Sequence, residues 1–95
     1  MIGEGVPSVL VLHQNFPNPF NPVTRIEFSL PEAGRVSLRV FDAIGRQVAV
    51  LFDDEGEPGR RYRATFNGAQ VPSGMYFARL EWNGKHLTKK LLLVK

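Results

Sequence analysis

The chain has 95 residues, 43% hydrophobic and 22% charged, enough for one globular domain and unlike the composition of a disordered chain. It contains no cysteine, which excludes disulfides, iron–sulfur clusters, thiolate zinc sites and a cysteine nucleophile. The net charge of +3 divides unevenly: residues 1–34 carry one Arg against three Glu, residues 35–95 carry eleven Lys or Arg against six acids, and the last eleven residues hold four Lys and no acid.

Residues 1–8 have no basic region and no long apolar stretch, so they read as a linker or leader ahead of a domain at 9–95, not as a signal peptide. No apolar run approaches the roughly 18 residues of a transmembrane helix. Glycines fall about every ten residues from Gly34 onward, which leaves no room for a long helix. Between them the residues alternate with period two, the pattern of half-buried strands. Strands are expected near 8–13, 24–30, 35–42, 46–52, 60–67, 75–82 and 86–94.

The segment Asn15-Phe16-Pro17-Asn18-Pro19-Phe20-Asn21-Pro22 differs in kind. Its prolines fix φ, remove backbone donors and push the preceding residues to extended conformations. It reads as a stiff connector that pins Phe16 and Phe20 into the core. Ile26, Phe28 and Leu30 then alternate with Arg25, Glu27 and Ser29, and Val36, Leu38 and Val40 with Arg35, Ser37 and Arg39. Asp42-Ala43-Ile44-Gly45-Arg46 is a short loop with glycine at a left-handed position. The strand holding Val48, Ala49, Val50, Leu51 and Phe52 is apolar on both faces, so its register is open.

Asp53-Asp54-Glu55-Gly56-Glu57 reads as a polar turn; its carboxylates would suit a calcium ion, but the alternating spacing of a calcium loop is missing. Tyr62, Ala64 and Phe66 form the next core face, with Arg61 and Arg63 on the solvated one. Pro72-Ser73-Gly74-Met75-Tyr76-Phe77-Ala78 places a Tyr at the start of the sixth strand with a small residue two positions on. That fits a tyrosine corner, although Tyr76 as one more core aromatic fits equally. Trp82-Asn83-Gly84-Lys85 is an Asn-Gly hairpin of type I′ chemistry. Seven short strands at this spacing predict an all-β, immunoglobulin-like antiparallel β-sandwich, with an open barrel as the rival.

These same residues carry a resemblance. Residues 15–22 are followed in order by Thr24-x-Ile26-x-Phe28-x-Leu30-Pro31, Val40-Phe41-Asp42-x-x-Gly45-Arg46-x-Val48, Ser73-Gly74-Met75-Tyr76 and a closing Lys89-Lys90-Leu91-Leu92-Leu93-Val94-Lys95. The set resembles the type A C-terminal sorting domain of type IX secretion cargo, the Por secretion system tail. It is also similar to the immunoglobulin-like domain of flagellar hook-capping proteins. The resemblance implies a non-catalytic sorting signal that directs a secreted cargo of a Gram-negative bacterium through the periplasm and across the outer membrane to the cell surface or beyond. The implied partners are the outer-membrane translocon and a sortase, followed by release or attachment to an anionic lipopolysaccharide. The implied recognition positions are Gly74, Tyr76, Lys89, Lys90, Val94 and Lys95, and any cut falls in or before residues 1–14. The Asn-Pro-Phe-Asn-Pro form is shared most closely with hook-capping-type domains and long multidomain cargo, so cleavage and retention as a cell-attachment module both stay open.

Other chemistries are poorly supplied. The basic tail reads as a recognition strand or as an edge strand guarded by lysines, and the two readings are compatible because an edge offers backbone for β-augmentation. Nucleic-acid binding lacks a stacking signature or a basic helix. Trp82 and Phe41 are the candidate sugar-stacking rings for the alternative function, a glycan- or surface-binding accessory module of a multidomain secreted enzyme. His13 and His86 have no evident nucleophile partner, and no acid pair is set on one inward face, so neither a catalytic residue nor a cofactor is expected.

Overall fold

The computed structural model describes residues 9–95, so the expected leader at 1–8 lies outside the described residues. Seven strands follow in order: β1 (Val11–Leu12), β2 (Val23–Ser29), β3 (Gly34–Asp42), β4 (Gln47–Gly56), β5 (Tyr62–Asn67), β6 (Gly74–Trp82) and β7 (Lys85–Leu93). They form a three-stranded sheet, β1-β2-β5, and a four-stranded sheet, β4-β3-β6-β7, with every strand pair antiparallel. This is the immunoglobulin-like sandwich, not a barrel. In the constant-type immunoglobulin order the fourth strand joins the first sheet; here β4 pairs with β3 instead.

The alternation decides which side chains meet. Ile26, Phe28 and Leu30 from the first sheet face Val36, Leu38, Val40, Ala78, Leu80 and Leu91 from the second, and all nine are fully buried. At one end of this core Phe20, Phe66 and Tyr76 follow one another, with ring centroids 5.8 and 6.0 Å apart. At the other, Phe28, Phe52 and Tyr62 form a second aromatic cluster with centroids 5.1–5.4 Å apart. Offset and edge-on ring pairs of this kind add about 0.5–1.5 kcal/mol each beyond their buried area.

The turns follow the expected chemistry. Asn83 and Gly84 both take positive φ, 50° and 75°, as a type I′ hairpin requires. In the β3–β4 loop, Asp42 Oδ1 accepts the backbone N–H groups of Ile44 and Arg46 at 3.1 and 2.9 Å, while Asp42 Oδ2 accepts Arg46 Nε at 2.8 Å.

Two expectations are corrected, and one point left open is resolved. The acidic stretch 53–56 is not a turn but the end of β4, where Asp53, Asp54 and Glu55 pair with Ser37, Val36 and Arg35. The register of β4 was open for a reason the structure supplies: it shifts against β3 between Leu38 and Arg39 and again between Val40 and Phe41. Each bulge adds an unpaired residue and breaks period two. Phe16 is not a pin: it is 68% exposed, whereas Phe20 is 2% exposed.

The connector at 15–22 passes from one sheet to the other. Phe16 exchanges backbone hydrogen bonds with Arg25 of β2 at 2.9 and 3.0 Å, and Phe20 exchanges two with Leu92 and Val94 on the far sheet, both at 2.9 Å. Just ahead of Phe16 lies buried Asn15, whose Nδ2 donates to Thr24 Oγ1 and to the Pro17 carbonyl at 3.0 and 3.1 Å. Thr24 Oγ1 donates to the same carbonyl at 2.8 Å. Every buried polar atom of this corner is thereby satisfied, which is the condition for burying it.

Phe20→Ala removes a buried ring from the crossing and is expected to lower unfolding stability by about 3–5 kcal/mol. Phe16→Ala, on an exposed ring, should stay within about 0.5 kcal/mol. Urea unfolding of the two variants checks this, and equal losses would contradict the assignment of Phe20 as the anchor.

Candidate recognition surface

Four of the six expected recognition residues gather at one end of the sandwich. Gly74 opens β6 opposite Leu93 of β7. Its φ of +149° lies in a region that disfavours residues with a Cβ, although a Cβ built there would meet nothing within 4 Å. The backbone, not crowding, is what requires glycine. Tyr76 lies two residues on and is 4% exposed; its hydroxyl donates to the Pro72 carbonyl at 2.5 Å. This is a tyrosine corner, and the ring is part of the core as well. Burial pushes its phenol pKa up, and the charge of Asp42 pushes it the same way. A partner cannot touch this ring; Tyr76 can contribute to recognition only by holding the corner in shape.

The chain end reaches the same corner. The Val94 N–H donates to the Phe20 carbonyl at 2.9 Å, leaving its side chain half exposed. The Lys95 N–H donates to Ser73 Oγ, and its ammonium donates to the Ala69 carbonyl, each at 3.0 Å. Lys90 and Lys89 lie three and four residues before Leu93, the partner of Gly74, or about 10–13 Å up the strand at ~3.3 Å per residue, next to the Leu91 that pairs with Tyr76. Lys89 lies on the core side of β7 opposite Ala78 and is half-buried, whereas Lys90 is exposed opposite Phe77.

β7 is an edge strand, and its edge is treated differently along its length. In an antiparallel pair successive residues turn their N–H and C=O alternately toward and away from the neighbour. The even-numbered residues of β7 point away from β6. In the C-terminal half these groups are capped: Gln14 Nε2 donates to the Lys90 carbonyl at 2.8 Å, and Asn18 Oδ1 accepts the Leu92 N–H at 3.0 Å. Phe20 takes the Leu92 carbonyl and the Val94 N–H. In the N-terminal half, the N–H and C=O of His86 and Thr88 and the N–H of Lys90 have no partner among the described residues. The sequence singled out the basic tail but not Gln14 and Asn18 as its caps; the only hint was an Asn placed before proline.

The charges divide by residue type. Arg61 and Arg63 both hydrogen-bond Glu27, at 3.1 and 2.9 Å. The Arg63 bond is the main cause of the lowered Glu27 pKa, with both guanidinium charges adding to it and partial burial opposing. The Asp42 carboxyl is lowered chiefly by the Arg46 N–H, against a smaller desolvation penalty. Among the described residues every ion pair is made by an arginine, so Lys85, Lys89 and Lys90 keep their charge unneutralised along β7. The rings suggested for sugar stacking do not form a platform: Trp82 is 5% exposed, and Phe41 is half-buried beside Phe77. The described residues contain no cluster of three metal-ligating side chains, and the acids at 53–55 lie spread along a strand. No helix among them is long and apolar enough to cross a membrane.

The architecture is thus an immunoglobulin-like sandwich whose last strand carries a basic, partly open edge. Residues 14–95 match the model of the secretion system C-terminal sorting domain, and the chain belongs to that family. It is a sorting tail of type IX secretion, which implies dealings with that machinery and a secreted protein bound for the cell surface or the extracellular space. No curated protein and no solved structure matches it significantly.

Gly74→Ala is expected to keep the fold and lose about 1–3 kcal/mol through backbone strain alone. Thermal unfolding followed by far-ultraviolet circular dichroism measures the loss. An unchanged midpoint would mean that the left-handed start of β6 is not required.

Proposed function

We propose that the domain acts without catalysis, as a folded signal read by the outer-membrane translocon of a Gram-negative bacterium after the cargo has reached the periplasm. The observation that carries this reading is the division of β7. Its C-terminal half is locked to the corner of Gly74, Tyr76, Val94 and Lys95, while the half leading to Lys89 and Lys90 offers free backbone and unpaired positive charge. A partner strand adding to such an edge would gain main-chain hydrogen bonds, and its side chains would meet the lysines. The unit doing this is residues 9–95, with residues 1–8 as the link to the cargo. A sortase would act in or before residues 1–14, and the cargo would be released or attached to anionic lipopolysaccharide.

Fusion of residues 1–95 behind an exported reporter is expected to bring the reporter to the surface of a type IX-competent host. Lys90→Glu should reduce surface display without loss of stability, because Lys90 is exposed on the outer face. Lys89→Glu places a carboxylate on the core side and is a poorer probe, since it would also cost folding energy. Protease accessibility of the reporter on intact cells reads the outcome. Periplasmic retention of the wild-type fusion with its domain folded would overturn the proposal.

A further inference from the structure

The outer face of the four-stranded sheet holds an arrangement that sorting does not explain. β3 and β6 set Arg39 directly opposite Arg79. Like charges in this position repel, so the pair needs a counter-charge. Asp53 supplies part of it, 3.7 Å from Arg39, but the same carboxylate is held by Arg35 at 3.1 Å. Glu81 lies 3.0 Å from Arg79 Nε, yet out of line for a hydrogen bond, so this contact is an ion pair only. The Nε atoms of Arg39 and Arg79 are both buried without a hydrogen-bond partner, as is Trp82 Nε1. These are the three buried side-chain atoms left unsatisfied among the described residues; the indole nitrogen belongs to the core face beside Gly34, whereas the two guanidinium nitrogens belong to outer-face residues that line one groove of about 440 Å³. Arg35 and Lys85 line it too, so four cations face two carboxylates and leave a charge of +2.

A buried donor without a partner is costly, and guanidinium forks match oxyanions in geometry and charge. We propose that this groove binds a phosphate monoester group, gripped between Arg39 and Arg79. Such a group carries about −1.5 to −2 charges near neutral pH, which complements the groove. The other sheet provides an internal control. Arg61 and Arg63 are equally basic and more exposed, but Glu27 satisfies both with aligned hydrogen bonds, and neither residue has an orphaned buried nitrogen. The site requires nothing of the translocon and stands or falls independently of the sorting role.

Inorganic phosphate is the first probe, titrated into ¹⁵N-labelled protein against sodium chloride at matched ionic strength. Saturable amide shifts are expected at Ser37, Arg39, Arg79 and Glu81 in phosphate and not in chloride. Arg39→Gln and Arg79→Gln should each weaken binding about tenfold. Arg79→Lys, which keeps the charge but loses the fork, should weaken it as well. Arg63→Gln should leave the titration unchanged. Flotation with phosphatidylcholine vesicles, with and without phosphatidic acid, identifies the source. Flotation only with phosphatidic acid, lost in Arg39→Gln, assigns a lipid headgroup; a phosphate response with no flotation assigns a soluble ester. If neither probe gives a saturable response, or if Arg63→Gln weakens binding as much as Arg79→Gln does, the proposal is overturned.

Discussion

The domain depends on how its last strand is closed. β7 lies at the edge of the larger sheet, and an uncovered edge is a template for unwanted pairing. The connector at 15–22 covers part of it, and each residue type there has a task. The prolines bring no N–H that would be left unpaired at a crossing between sheets. Asn15 satisfies the buried turn, Asn18 takes the Leu92 N–H, and Phe20 both pairs with β7 and fills the core. What remains open among the described residues, from His86 to the Lys90 N–H, is a stretch of free backbone bounded by a capped one.

That division ties the core to the surface. Phe20 packs on Phe66, Phe66 lies beside Tyr76, and Tyr76 holds Pro72 just ahead of Gly74. The corner residues and the chain end are therefore positioned by the same apolar cluster that anchors the connector. Charge is distributed with similar economy. Most of the arginines are engaged by carboxylates in pairs that are exposed and individually weak, whereas the lysines of β7 make no ion pair among the described residues, and Lys85 and Lys90 face solvent. The mild net charge thus belongs chiefly to one strand and to the arginine groove on the outer face of its sheet.

Much of the fold was legible in the sequence because period-two alternation survives wherever one face of a strand is buried. Ile26, Phe28 and Leu30, and Tyr76, Ala78, Leu80 and Trp82, lie on the core face as the pattern requires. The Asn83-Gly84 turn was legible because few residue pairs accept two positive φ values. The tyrosine corner was only half legible, since a core ring and a corner tyrosine leave the same spacing. Illegible features share one cause: they depend on register or on contacts far apart in sequence. Two bulges scrambled β4, and acids on its solvent-facing end looked like a turn. Phe16 and Phe20 look alike until the crossing shows which one faces the core. Arg39 and Arg79 are forty residues apart in the chain, and only the β3–β6 register makes them neighbours.

Amide hydrogen exchange along β7 tests the central claim most directly, because it reads the edge-facing N–H groups one at a time. The account predicts that Leu92 and Val94, capped by Asn18 and Phe20, are strongly protected, while His86 and Thr88 exchange rapidly. Uniform protection along the strand, or rapid exchange at Leu92 and Val94, would contradict it.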